Sequence, residues 1–121
     1  MPSPDDADLT PEPVTDEYML DMRAKTKAYT FMRLVRGPGW GRDDRDAVIW
    51  EHGRRNHLLR LRGVLVIVCP VVDDTPVCGV GIFDASEDET RRLMDDDPGV
   101  RAGVFTYELH PVRSFPGDRL P

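Results

Sequence analysis

The chain has 121 residues, with 40% hydrophobic and 31% charged side chains. That suits one globular domain and argues against a fibrous or membrane-spanning protein. The formal net charge is -6, but residues 1–22 hold seven acids and no Lys or Arg, leaving 16 bases against 15 acids in the remainder. So neutral a body lacks the dense basic surface that non-specific nucleic-acid binding requires.

No apolar run approaches the roughly 20 residues of a membrane helix. The opening Met1-Pro2-Ser3-Pro4-Asp5-Asp6 has neither the basic nor the apolar region of a secretory signal. The expected location is the cytoplasm, with Cys69 and Cys78 as reduced thiols rather than a disulfide.

Residues 1–24 read as an acidic, Pro-rich leader with too little apolar surface to offset the entropy of ordering. A first strand is predicted over 27–35, where Tyr29, Phe31, Arg33 and Val35 alternate with Ala28, Thr30, Met32 and Leu34. Both of its faces are largely apolar, which predicts a central strand. Gly37-Pro38-Gly39-Trp40-Gly41 is a loop. Asp44 is placed to cap a helix over 45–62 that Gly63 stops. A second strand follows over 64–72, then the turn Asp73-Asp74-Thr75-Pro76 and a third strand over 77–83.

Ser86-Glu87-Asp88-Glu89 is a capping box that opens a short helix ending before Pro98. A last strand over 102–110 sets Phe105, Tyr107 and Leu109 on one face. Residues 113–121 form a Pro-rich C-terminal arm. Within 25–112 the order β-α-β-β-α-β is the ferredoxin-like, split-βαβ arrangement: an α+β domain with a four-stranded antiparallel sheet and two helices on one face. The other sheet face is left uncovered. A domain this small does not leave a whole apolar face in water, which predicts a homodimer pairing sheet against sheet.

Stepping 100° per residue along the first helix puts His52 on the same face as Val48 and Leu59, pointing at the sheet, with His57 on the outside. A histidine on an apolar helix face is most often a hydrogen-bonded core residue, yet imidazole is the side chain suited to proton transfer near neutrality. Asp95-Asp96-Asp97 closes the second helix, where acids oppose the backbone dipole. Pro98 forces Asp97 out of that helix and lets its side chain turn inward. Arg33 interrupts an apolar strand and must reach water, a carboxylate or an anionic ligand. The glycine loop has the spacing of neither phosphate-binding fingerprint and reads as a rim from which Trp40 reaches a ligand. Two cysteines and three histidines match no standard metal spacing, so no metal is expected.

The run His52 … Leu58-Leu59 … Gly63-Val64-Leu65 … Cys69-Pro70, followed by Asp97-Pro98-Gly99-Val100-Arg101-Ala102-Gly103-Val104-Phe105, resembles the YCII-related (YciI-like) domain family. The likeness covers roughly residues 27–112. It implies a ferredoxin-like dimeric α/β barrel and a His–Asp dyad lining a cleft, at positions that fall on His52 and Asp97. The superfamily includes lactone isomerases, monooxygenases acting on quinols and a dehydrochlorinase, mostly without metal or organic cofactor. Two positions depart from the family pattern. Cys69-Pro70 stands where many members have Gly-Pro, and Gly99 stands where an aromatic is frequent, which predicts a larger pocket.

The resulting expectation is a cofactor-independent lyase or isomerase acting on a small carbonyl compound. Asp97 fixes the tautomer of His52, and the free ring nitrogen shuttles a proton. Arg33 holds an oxygen of the substrate, and Tyr29, Phe31 and Val104, or their opposite-face neighbours, exclude water. Two other readings stand beside it. One is a non-catalytic ligand-binding or accessory protein associated with a transcriptional regulator; the other is a purely structural hydrogen bond between His52 and Asp97.

Overall fold

The computed structural model describes residues 9–121, so the first acids and prolines of the leader lie outside the described residues. The chain divides into two units. One is Ala28–Arg113; the other joins the preceding residues to Ser114–Pro121.

The larger unit carries strands β1 (Lys27–Arg36), β2 (Leu65–Pro70), β3 (Val77–Phe83) and β4 (Phe105–Ser114). They form one sheet in the order β2-β3-β1-β4. β1 and β2 both run antiparallel to β3, with Met32 opposite Gly81 and Val68 opposite the same Gly81. β4 runs antiparallel to β1: Arg33 meets Glu108, Phe31 meets His110, and Gly37 N–H donates to the Val104 carbonyl. This is the predicted ferredoxin-like order, with the first and third strands central.

Alternation along each strand decides which residues enter the core. Thr30, Met32 and Leu34 of β1, Phe83 of β3, Leu65 of β2 and Phe105 of β4 are buried. Helix α2 (Arg45–Leu61) adds Leu59 and His52 to that side, and α3 (Glu87–Asp95) adds Thr90 and Met94. Gly81 leaves room there, since a Cβ at that position would meet Leu65 and Met32. The opposite face carries Tyr29, Phe31, Arg33 and Val35, all half-buried, with Val80 and Ile82 beside them.

Local signals acted where expected in two places. The Ser86 hydroxyl accepts from Glu89 N–H at 3.1 Å and opens α3. Gly63 ends α2 with a φ of 76°, a conformation that favours glycine. Asp44 does not act as expected. It precedes α2 but caps no amide, because its carboxylate is held by the Arg42 guanidinium at 2.8 and 3.0 Å.

Several boundaries differ from the sequence reading; β2, expected over 64–72, spans only Leu65–Pro70. The leader is not without structure through residue 24. Asp16–Ala24 is helix α1, because the Thr15 side chain accepts from Tyr18 N–H and Asp16 and Glu17 sit in the first turn, where acids suit the dipole. A single turn, α4 (Pro98–Arg101), stands where the last strand was expected to begin, and β4 correspondingly starts at Phe105 and runs to Ser114. Within the smaller unit, α1 and Phe115 line an apolar cleft of about 730 Å3. Among the described residues no helix is long and apolar enough to cross a membrane.

Candidate active site

Asp97 owes its position to Pro98. α3 stops at Asp95, and Asp97 is extended, with φ -71° and ψ 134°. Its Oδ2 then accepts from Gly99 N–H at 2.9 Å and from Val100 N–H at 3.2 Å, capping α4. The residue is only 1% exposed.

His52 reaches the same carboxylate from α2, forty-five positions away in the chain. Its Nδ1 lies 2.8 Å from Asp97 Oδ1 and 2.9 Å from Oδ2. A carboxylate oxygen accepts, so Nδ1 donates to Asp97, and in the neutral tautomer this selects, Nε2 is an acceptor. Nε2 faces the side-chain amide of Asn56, whose Nδ2 donates to it at 3.2 Å. Arg55 stands behind Asp97, with a terminal nitrogen 4.0 Å from Oδ1.

Phe105 fixes the imidazole plane. Its ring centre is 4.8 Å from that of His52, tilted by 55°. The same ring explains Gly99: a Cβ there would come within 2.5 Å of Phe105 and 3.0 Å of Asp97 Oδ2. Gly99 therefore does not enlarge the pocket as expected. The aromatic ring of Phe105 fills the space that the missing side chain leaves.

A cleft of about 210 Å3 lies beside His52 and Asn56, between α2 and the sheet. Met32 and Leu34 form its apolar floor, and Cys69 and Pro70 form part of its wall. Cys69 and Cys78 are both free thiols. Burial pushes the Cys78 thiol up, partly opposed by the Arg36 guanidinium. Among the described residues no three His, Cys, Asp or Glu side chains converge as a metal site would need.

The remaining sequence candidates are not brought to this cleft. Arg33 points to the opposite face of the sheet, where its Nε lies 2.6 Å from Glu108 and holds that carboxyl below the usual range. Tyr29 shares its parity on β1 and so shares its face. Of the alternative walls, the opposite-face neighbours Met32 and Leu34 take the role considered for Tyr29 and Phe31. Trp40 lies one ring further out. Its ring centre is 6.1 Å from that of Phe105, tilted by 52°, with the Arg36 and Arg45 guanidiniums 4.7 and 4.6 Å from its own centre. It supports Phe105 and does not line the cleft. Asn56, Phe105 and Arg55 went unremarked as site residues. For Asn56 the signal was present: it follows His52 by four positions, on the same side of the helix.

No family model matches the chain, and no curated protein does. Among solved structures, it is similar to 5-chloro-2-hydroxyhydroquinone dehydrochlorinase from Burkholderia phenoliruptrix AC1100, solved in complex with 2,5-dihydroxybenzoquinone. The likeness is 20% identical over 69% of this chain and 91% of that one, with a TM-score of 0.47.

Proposed function

We propose that the protein is a YCII-related enzyme of small molecules, a lyase or isomerase in which His52 moves a proton. The observation that carries this reading is a buried imidazole whose Nδ1 is committed to Asp97 at 2.8 Å while its Nε2 side borders a cleft of about 210 Å3. Asp97 is pinned by two backbone amides, so it holds the ring in one tautomer and one orientation. When Nε2 takes a proton, the imidazolium is stabilised by the carboxylate on its far side. The step moves only a proton, so it balances without an oxidant or reductant. Of the residues expected to serve it, His52 and Asp97 stay in the proposal; Arg33, Tyr29 and Trp40 leave it, because their side chains do not line the cleft.

The active form is proposed to be a homodimer through the sheet face of Phe31, Val80 and Ile82. Ile82→Glu should then yield monomers in sedimentation velocity with the fold intact. Wild-type protein sedimenting as a monomer would remove the dimer.

The test of the chemistry is exchange of α-protons for deuterium, followed by proton NMR, in a panel of small cyclic ketones and hydroxy-enones. His52→Ala should lose the exchange, and Asp97→Asn should slow it by about 10²–10⁴-fold. Equal exchange in wild type and His52→Ala would sink the proposal. One observation favours the non-catalytic alternative: Nε2 already has a partner in Asn56. In that case a ligand fills the cleft without exchange.

A further inference from the structure

We infer that Asn56 is a working part of the site: it masks His52 Nε2 while the cleft is empty and passes its N–H to the substrate oxygen when the cleft is filled. The inference rests on the reading of His52 as the base.

A base needs its lone pair. In the structure that lone pair is occupied, because the Asn56 amide donates to Nε2 at 3.2 Å. The two residues sit four apart on α2, so the backbone holds them together whatever the side chains do. A substrate that offers a proton to Nε2 must therefore push the amide aside. Only side-chain torsions of Asn56 need to change, and both residues border the same cleft.

The displaced N–H cannot be left unpaired cheaply. Asn56 is half-buried and the cleft walls include Met32, Leu34 and Val68, so a ligand filling the cleft shuts water away from the displaced donor. The substrate itself must supply the acceptor, and it must do so within reach of a group that was touching Nε2. A carbonyl compound with its acidic hydrogen on the adjacent carbon meets both demands. The proton goes to Nε2 and the oxygen goes to the Asn56 amide. A ligand of the same size without that oxygen leaves the amide orphaned, so it is selected against.

The electron count closes. The C–H bond breaks, and its proton forms the new N–H bond at Nε2. The bonding pair becomes the C=C bond of an enolate, and the carbonyl π pair moves to oxygen, where Asn56 donates to it. Where a further C=C is conjugated with the enolate, return of the proton to the far end of that dienolate gives the isomer. Where the next carbon carries an anionic leaving group, the oxygen pair re-forms C=O, the enolate C=C pair becomes the α,β double bond, and the group departs with its bonding pair, taking up the proton held at Nε2.

The groups around the ring set the background for a test. Asp97 faces Nδ1, Arg55 stands behind that carboxylate, and Cys69 and Cys78 border the cleft. The full chain, labelled with 15N in histidine, is compared with Asn56→Ala, Asn56→Ser and Asn56→Asp. In wild type the His52 signals should show a protonated Nδ1 and a bare, hydrogen-bonded Nε2. Asn56→Ala should keep the tautomer and move Nε2 toward the value of a nitrogen without a donor. Asn56→Asp should draw a second proton onto Nε2 at neutral pH, since a carboxylate cannot donate to it. An unchanged Nε2 signal in Asn56→Ala overturns the mask.

The second measurement is deuterium exchange at the α-carbon of cyclohexanone. Asn56→Ala should cut its maximal rate by about 10²-fold, the loss expected when one donor to a developing oxyanion is removed, with little change in half-saturation. Asn56→Ser, which keeps a donor, should recover part of it. Wild-type rate in Asn56→Ala, with exchange still lost in His52→Ala, overturns the hand-over and leaves the base standing. Equal rates in wild type and His52→Ala remove the base and this inference with it.

Discussion

On the helix-covered side of the sheet, Asp97 meets His52 with 1% and 10% of their side chains exposed; on the other side, Arg33 meets Glu108 with 43% and 47% exposed. The outer pair is shorter, at 2.6 Å against 2.8 Å, and formally carries two full charges. Distance would rank it first. Burial reverses the order. In a single chain water screens the outer pair and replaces either partner when the other is lost, so there the pair contributes little. Behind the helices nothing replaces a lost partner. A buried group there depends on every donor and acceptor it has, which is why Asp97 holds two amides and an imidazole at once.

The largest expected effect follows directly. Asp97→Ala should cost about 2–4 kcal/mol in urea denaturation, since it uncaps α4 and strands the His52 N–H. Glu108→Ala, compared in the Ile82→Glu background where this face is open to water, should leave the urea midpoint nearly unchanged. Similar losses from the two variants would break the comparison.

Gly99→Ala should come next. Its Cβ has no space against the Phe105 ring, and backbone or ring must shift at a cost of about 1–3 kcal/mol. Because that ring lies 4.8 Å from His52, the substitution should also change the ring-current shift of the His52 protons. Unaltered His52 resonances would show that Phe105 does not set the imidazole plane.

The smallest effect sharpens the contrast within one strand. Tyr107 and Glu108 are neighbours on β4, and they titrate in opposite directions. Burial and then the bond to Asp95 push the Tyr107 hydroxyl up to about 12 from 10.0. A group raised in the folded state adds stability that is complete below pH 10 and is lost as pH climbs toward 12. Glu108 is depressed below 4.5 by Arg33, so its contribution is present above that value and fades as pH falls through the lower one. Tyr107→Phe should flatten the alkaline limb of a stability–pH profile and leave the acid limb unchanged; Glu108→Gln should do the reverse. Loss of both limbs from one substitution would show that the faces are not independent.

Much of this was legible in the chain. Alternation along β1 separated Tyr29, Phe31, Arg33 and Val35 from Thr30, Met32 and Leu34, and the third strand begins and ends where it was expected. What alternation does not say is which set the helices cover. Both sets are rich in apolar side chains, so Arg33 was open to either the cleft or the outer face. Tertiary packing chose the outer one, since the buried side must accept α2 and α3 without an unpaired guanidinium. Helix α1 was missed for a different reason. The prolines and acids of residues 1–24 dominate the composition there and mask a short capped segment, DEYMLDMRA.

The amino-acid order by itself settled where α2 and α3 start, which residues share a strand face, and that Pro98 expels Asp97 from its helix. Those outcomes depend on backbone sterics and hydrogen bonds a few residues in reach. Only the assembled structure decided that Nε2 of His52 belongs to Asn56, that Phe105 takes the room above Gly99, and that Arg33 turns away from the cleft. These are contests between side chains for limited interior volume and limited hydrogen-bond partners, and no short stretch of chain contains all the contestants.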